Sequence, residues 1–333
     1  MAHDNTTKAV HFEAPLDGLS LSYSTDRGYL ADMIFPVVNV EKESDLFYKF
    51  DPDEANRETE LEQIAAGALP TSDEVSHSNG RYAVKEYGKA VTIWERETAN
   101  EDSMLRVRER KVTQKADQML IGRDRAFLNT FVKTGVWGKE YTGVASSPVA
   151  GTSFVKWSDA ASTPLQDFLA WKTQFAVDTY GFKPNKMLIS TKVKNALLQN
   201  AQLLGRMNGG STIGVPTMEV PMTILSQHFG VEMIEMDSVV NTAAEGATAS
   251  KSFMAGDGIL LTYTPESAGL DTAASGLIFS WNGMPNSSYQ VTTKSYSGPT
   301  YEERNIAERI QMRMNFDMQI TGPNLGVFIN API

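Results

Sequence analysis

The chain has 333 residues, of which 30 are basic and 40 are acidic, so its formal net charge is −10. The length suggests about two domains, and a hydrophobic share of 41% allows a sizeable core. The acidic balance argues against a dedicated nucleic-acid binder, which needs a basic face, but it permits a protein that encloses nucleic acid without binding it tightly.

Two absences narrow the possible functions. The chain has no cysteine, which excludes disulfides, thiolate metal sites and cysteine nucleophiles. It has no apolar segment of signal-peptide length near its start, and no apolar run of about 18 residues that could cross a membrane. We therefore expect a protein that is cytoplasmic when synthesised and has no membrane partner.

The first 50 residues predict an arm followed by short strands. Residues 1–28 are polar and mixed in composition. Two β-rich segments follow at 34–38 and 46–50. Pro36 lies in the first segment and indicates an edge strand or an irregular strand, because proline cannot donate to a sheet ladder.

A polar stretch separates these segments from the next strand pattern. Residues 51–80 are rich in acidic residues, Asn, Ser and Gly, and strand character returns at 82–87 and 90–94. Together, 47–94 predict a long two-stranded arm with a polar tip. An isolated hairpin is only marginally stable in water, so this arm is expected to be ordered by contacts outside itself.

Residues 98–133 predict one helix of roughly 50 Å. Asn100 is the candidate N-cap, and Gly135 is the candidate C-terminal stop. The combination of a long polar loop and a long helix is typical of a chain that is completed by its neighbours. The apolar residues recur at helical spacing, at Leu105, Val112, Ala116, Met119, Leu120, Phe127, Leu128 and Phe131.

From residue 163 the pattern alternates between helix and strand. Thr163 to Gln166 resembles a capping box with proline in the first turn, and Ser190 can cap the next helix, which turns Val193, Ala196 and Leu197 inward. From residue 305 a period of two predicts a long strand with one buried face. The helix that begins after Thr163 has a predicted buried stripe of Leu165, Phe168, Leu169, Phe175 and Ala176.

The sequence offers little for catalysis or for metal binding. The four histidines are scattered, and neither a nucleophile motif nor a complete phosphate loop is present. Residues 51–62 match a calcium loop only in part, because Ala55 takes a ligand position and Asn56 replaces the required glycine. We predict no catalytic residue, no metal site and no cofactor.

Several segments resemble the major capsid proteins of tailed bacteriophages, which have the Hong Kong 97-like fold. One of them, residues 98–133, corresponds to the family's spine helix. The other segments occur in the family's order and are IFPVV (34–38), FYKF (47–50), RYAVKEY (81–87), GFKPNKMLIS (181–190), LSQHFGV (225–231) and MAGDGILL (254–261).

The resemblance implies an α+β architecture with a peripheral domain and an axial α/β domain. It also implies a shell of hexamers and pentamers in which an extended loop, the E-loop, reaches over a neighbouring subunit. The implied parts are the arm and first strand at 1–46, the E-loop at 47–94, the peripheral domain at 95–160 and 276–333, and the axial domain at 161–275.

Charged residues of the loop, the return strand and the spine helix are therefore the candidate inter-subunit contacts. The N-terminal scaffolding segment that some relatives carry does not fit before residue 30, which favours a separate scaffolding protein. A portal is a further implied partner, and the resemblance also allows a decoration protein. The shell would enclose DNA without specific binding, in the virion after assembly in the host cytoplasm. The candidate contacts are Arg57, Glu62, Arg81, Lys85, Glu86, Arg106, Arg110 and Arg123.

Three questions stay open from the sequence. The same fold would serve an encapsulin-like shell that holds a cargo enzyme, and residues 163–263 could belong to an α/β enzyme if a catalytic constellation existed. Lys85 and Lys89 could take part in the covalent cross-links of some relatives, but no acid is marked to catalyse them. We expect a non-enzymatic, self-assembling shell protein without cross-links.

Overall fold

The computed structural model describes residues 29–49, 53, 56, 78–99, 107–200, 202–203, 222–243, 247–285, 287–296 and 307–333. In these ranges the chain combines helices with sheets, which confirms the predicted α+β class. The helices are α1 (Leu30–Ile34), α2 (Glu95–Ala99), α3 (Val107–Phe131), α4 (Pro164–Asp178), α5 (Thr191–Gln199) and α6 (Met222–Phe229).

Fifteen strands lie in the same ranges. They are β1 (Val37–Val40), β2 (Ser44–Tyr48), β3 (Asn79–Ala83), β4 (Lys85–Trp94), β5 (Lys139–Val144), β6 (Ser153–Val155), β7 (Lys186–Ser190), β8 (Glu232–Met236), β9 (Val239–Asn241), β10 (Lys251–Phe253), β11 (Ile259–Thr262), β12 (Gly276–Trp281), β13 (Thr292–Tyr296), β14 (Ala307–Ile320) and β15 (Gly326–Asn330).

The larger sheet has six strands in the order β6-β5-β15-β11-β7-β8 and is buried on both faces. In β7, Met187 and Ile189 pack into the cluster formed with α4, α5 and α6, whereas Leu188 packs into the cluster that contains α3. Burial on both faces explains why these strands read as continuous apolar runs. Strands β5, β6 and β15 belong to this sheet, so the expected boundaries at 161 and 275 do not separate the two sheets.

The second sheet is built around β14. Ile310, Met312, Met314 and Phe316 form its buried face, which confirms the period-two prediction. Strand β14 is antiparallel to β4, β12 and β13, and β1 joins β12 in parallel. The longest pairing is that of β4 with β14, which runs from Lys85 to Trp94.

This pairing changes the expected arm. The strand pattern at 82–94 was predicted to pair with the segment near residue 47, but only β3 pairs with β2, over five residues. Strand β4 pairs with β14 instead. Alternation along a strand specifies which face is buried but not which edge finds a partner, and β14 is long enough to pair with all of β4.

Helix α3 is the predicted spine helix. Its stripe from Val112 to Phe131 is buried as predicted, and α3 itself spans about 37 Å at 1.5 Å per residue. The expected N-cap Asn100 and stripe residue Leu105 lie outside the described residues, and α2 precedes them. The stripe packs against both sheets, because its core cluster also contains Leu188 and Met312.

Two local predictions for α4 need correction. Leu169, expected in the buried stripe, is 57% exposed, and Trp171 takes the inward position. Thr163 makes no capping hydrogen bond, although Pro164 opens the helix as predicted. Ser190 does cap α5, since its hydroxyl accepts the N–H of Val193 at 3.4 Å. Among the residues described, no helix combines the length and apolarity that a membrane span requires.

Candidate functional site

The β2–β3 hairpin is anchored to the body of the protein by one face. The ring of Tyr82 stacks on Phe279 with centroids 4.6 Å apart, and Phe47 lies 5.4 Å from the same ring. These side chains are buried in a small cluster with residues of β1 and β12. Burial raises the pKa of the Tyr82 hydroxyl. The anchor fixes the direction in which the chain leaves and re-enters the hairpin.

The opposite face of the hairpin presents apolar side chains to solvent. Leu46 and Tyr48 are 60% and 59% exposed, and they alternate with the buried Phe47. Arg81 lies opposite Leu46 in the strand register and is also exposed. Large apolar side chains grouped on an exposed strand are typical of an interaction surface. This face was not predicted, although the period of two in β2 was sufficient to locate it.

A second candidate surface lies over β4 and β14. A shallow depression of about 280 Å³ crosses these strands, and the small residues Gly88 and Ala90 contribute to its lining. Its charged lining residues are Lys89, Arg309 and Arg313 with the single acid Glu86, which gives a basic balance. Glu86 is paired with Arg313 at 3.2 Å. The surface is therefore suited to an acidic partner segment.

A third candidate surface follows the outer side of α4. Leu169 and Val177 are exposed there about two helical turns apart, and Tyr180, which follows the end of the helix, is exposed as well. Val177 and Tyr180 also line a depression of about 450 Å³, together with Asp53 and Asn324. The sequence pattern missed this surface because Leu169 was counted among the buried residues. Polar and charged residues make up most of its lining, whereas small-molecule sites are lined mainly by apolar and aromatic side chains, so a protein contact fits better.

The predicted contact residues do not form one cluster. Arg81, Lys85 and Arg110 are exposed on β3, β4 and α3, so they remain available to a neighbour. Glu86 is also exposed, but it is paired with Arg313. Three further candidates, Arg57, Glu62 and Arg106, lie outside the described residues.

Arg123 is the exception, and its assignment must be corrected. It is only 1% exposed. Its guanidinium carbon lies 4.3 Å from the ring centre of Tyr289, and one nitrogen lies 3.8 Å from the Asp32 carboxylate. Arg123 therefore contacts its own subunit and is no longer a candidate inter-subunit residue.

Other basic residues of α3 are partly neutralised within the chain. Arg108 donates two hydrogen bonds to Glu308, at 2.6 and 3.0 Å. Lys111 pairs with Glu97 at 2.5 Å, and this hydrogen bond lowers the pKa of the Glu97 carboxyl. These pairs favour the interpretation that the basic faces of the helix are matched by acids rather than by nucleic acid.

The two depressions do not contain the commonest catalytic pairing. Their linings contain no histidine, serine or threonine, so they lack a hydroxyl nucleophile with an adjacent histidine base. Among the described residues, no group of three or more histidine or acidic side chains is placed to hold a metal ion.

Comparisons with known proteins agree with this architecture. No protein-family profile matches the chain, and no curated protein matches it. Among solved structures, a phage-related protein from Bordetella bronchiseptica RB50 is similar over 98% of this chain and 99% of its own, with a TM-score of 0.70 and 16% identity.

Two assembled shells are also similar. The mature capsid of bacteriophage PhiM1 matches 88% of this chain and 84% of its own, with a TM-score of 0.55 and 12% identity. The SrpI encapsulin of Synechococcus elongatus PCC 7942 matches 92% of this chain and 89% of its own, with a TM-score of 0.52 and 11% identity. The chain therefore has the fold of phage capsid proteins, as the resemblance implied.

Proposed function

We propose that this chain, with its capsid fold, is the major capsid protein of a tailed bacteriophage and acts as a structural subunit without catalytic activity. The observation that carries the proposal is the similarity of nearly the whole chain, 98% of it, to a phage-related protein. A fold alone does not define a function. The exposed apolar face of the β2–β3 hairpin provides the second support, because a shell subunit needs such surfaces.

Assembly would depend on contacts between copies of the chain. Leu46 and Tyr48 would pack against a neighbouring subunit, with Arg81, Lys85 and Glu86 at the edge of that contact. The basic depression over β4 and β14 would receive an acidic segment, and residues 51–62 contain six acidic residues against one arginine. Arg57 and Glu62 belong to this segment, and Arg106 and Arg110 would lie along the spine helix of the neighbour.

The proposed role brings further partners. A separate scaffolding protein would guide the curvature of the shell in the host cytoplasm, and a portal would occupy one vertex. A decoration protein could bind the finished shell. DNA would be enclosed without specific contacts, because the subunit carries a formal net charge of −10. The mature location would be the capsid of the virion.

A cargo-holding shell is the alternative, and it has a specific support. The TM-scores for the PhiM1 capsid and for the SrpI encapsulin, 0.55 and 0.52, are nearly the same. The contents distinguish the two functions. Particles purified from the native source and containing double-stranded DNA support the phage role, whereas particles containing one enzyme and no genome support the encapsulin role.

The test of shell formation uses the outer face of the hairpin. We expect the purified wild-type protein to form closed particles that are visible by negative-stain electron microscopy. Leu46→Ser and Tyr48→Ser should each reduce the particle yield at least tenfold, because they remove apolar area from a repeated interface. Size-exclusion chromatography measures the fraction of assembled protein.

Val149→Ser is the matched control, because Val149 is 64% exposed but lies away from the hairpin, between β5 and β6. All variants should keep the wild-type circular dichroism spectrum. A wild-type protein that stays monomeric under assembly conditions would count strongly against both kinds of shell. Normal particle yields from both hairpin variants would show that this face is not a subunit contact.

A further inference from the structure

The chain that follows residue 28 is attached to α3 by two carboxylates. The Tyr29 hydroxyl donates to Asp117. The backbone N–H groups of Leu30 and Ala31 donate to the two oxygens of Asp124, at 3.0 and 3.2 Å. Thus side chains of α3 bind the backbone of the segment 29–34, in addition to packing against it.

Asp124 has an unusual environment for a carboxylate. It is 1% exposed, and a buried charge is costly unless it is paired and hydrogen-bonded. Its two N–H bonds supply part of that compensation. Both bonds come from the same short segment, so they disappear together if the segment detaches from α3.

The charged and titratable groups around Asp124 come from three elements. Arg123 precedes it on α3, Asp32 lies on α1, and Tyr289 lies before β13. Nε and Nη1 of Arg123 have no hydrogen-bond partner, so its charge is incompletely compensated. Burial raises the pKa of Asp124 to about 6, against the opposing effects of the Leu30 N–H, Arg123 and the Ala31 N–H, while Asp32 raises it further.

The other end of α1 is attached elsewhere. The carbonyl oxygen of Ile34 accepts the Thr264 hydroxyl at 2.8 Å, and that of Met33 accepts Lys186 Nζ. Phe35 then lies within 5.0 Å of the rings of Phe127 and Phe131. An opening at Asp124 is therefore confined to the first residues of the segment and leaves Phe35 in the core.

We propose that Asp124 is a proton-dependent latch that holds the segment 29–32 on α3 more firmly in mild acid than at neutral pH. When the segment detaches, Asp124 becomes exposed to water and returns to the pKa of an ordinary carboxyl, about 3.9. The closed form then binds a proton that the open form does not bind. The latch would thus be loosest near neutral pH.

The direction follows from linkage between protonation and opening. The pKa of Asp124 is higher in the closed form, so the stabilising effect of protonation is complete below about pH 4 and is lost as the pH rises through about 6. Between about pH 7.5 and about pH 5 the closed form should gain about tenfold over the open form. This gain concerns the folded subunit and does not depend on shell formation.

Amide hydrogen exchange of the full-length protein tests the latch directly. The amides of Leu30 and Ala31 report opening, because they are the groups bonded to Asp124. After correction for intrinsic exchange rates, their protection should be about tenfold higher at about pH 5 than at about pH 7.5. Amides of β7 serve as the internal reference for global stability.

Asp124→Asn removes the titrating group and should abolish the pH dependence at Leu30 and Ala31. Asp117→Asn is the matched control, since it removes the negative charge that Tyr29 contacts but keeps Asp124, and it should retain the dependence. Equal protection at both pH values in the wild type would overturn the latch, with no variant required. A pH dependence that persists in Asp124→Asn would also overturn it.

Discussion

Asn315 joins β14 to two other segments through one buried side chain. Its Oδ1 accepts the Ser280 hydroxyl at 3.0 Å and the Trp281 N–H at 2.9 Å. Its Nδ2 donates to the carbonyl oxygens of Trp281 and Ser287 at 3.1 and 2.9 Å. All the hydrogen bonds that an amide side chain ordinarily makes are thus formed. In the sequence, Asn315 falls on the polar phase of an alternating strand, so its burial was not predictable.

Asn315→Ala should lower the free energy of unfolding by about 2–4 kcal/mol, because it leaves several buried polar groups without partners. Gln319→Ala is the control on the same strand. Gln319 is half-buried, and its amide donates to Asp317, two residues away, so its loss should cost under about 1 kcal/mol. Urea unfolding of unassembled subunits measures both values. Equal losses would contradict the role assigned to Asn315.

At the scale of the element, the two faces of the β2–β3 hairpin have different roles. One face anchors the hairpin to the body of the protein, and the opposite face is the one proposed to contact a neighbouring subunit. Phe47→Ala removes a ring from the cluster with Tyr82 and Phe279, so the hairpin should open locally and its amides should lose most of their protection. Tyr48→Ala changes the exposed face and should leave that protection within about twofold. Hydrogen exchange of β2 and β3 compares the two. Retained protection in Phe47→Ala would show that the hairpin is held by other contacts.

Elements were predicted well where the periodicity of the sequence determines the buried face. They were predicted poorly where the arrangement depends on the strand partner or on buried polar residues. The alternation in β14 and the stripe of α3 identified their buried faces. The same stripe has a gap between Leu120 and Phe127, and Arg123 and Asp124 occupy it. Their helical position indicated burial, but their charge favoured the surface. The partner of β4 was beyond prediction, because pairing with β14 joins residues far apart in sequence.

At the scale of the whole molecule, α3 holds the fold together, since its core cluster contains residues of both sheets. Neither sheet corresponds to a continuous piece of sequence, because β15 returns to pair with β5 and β11. Only the non-local strand pairing reveals this interleaving. It implies that the body of the subunit folds as one unit. The chain between β2 and β3 does not take part in this interleaving, because it joins two strands that already pair with each other.

The loop between these strands can therefore be replaced without disturbing the body. The N–H of Lys49 donates to the carbonyl oxygen of Ser78 at 2.9 Å, so the ends of the loop already meet. Replacing 52–75 by a short Gly–Asn-containing turn should keep the far-ultraviolet spectrum and the melting temperature, since the entropic cost of closing a loop changes only slowly with its length. Particle formation should fall to background, because the acidic segment proposed to contact the neighbour is lost. Size-exclusion chromatography and electron microscopy measure this loss.

A variant of full length with the same 24 residues in scrambled order separates the effect of the sequence from the effect of loop length, and it should also fail to assemble. Normal particles from the shortened variant would show that this segment works within its own subunit and not between copies.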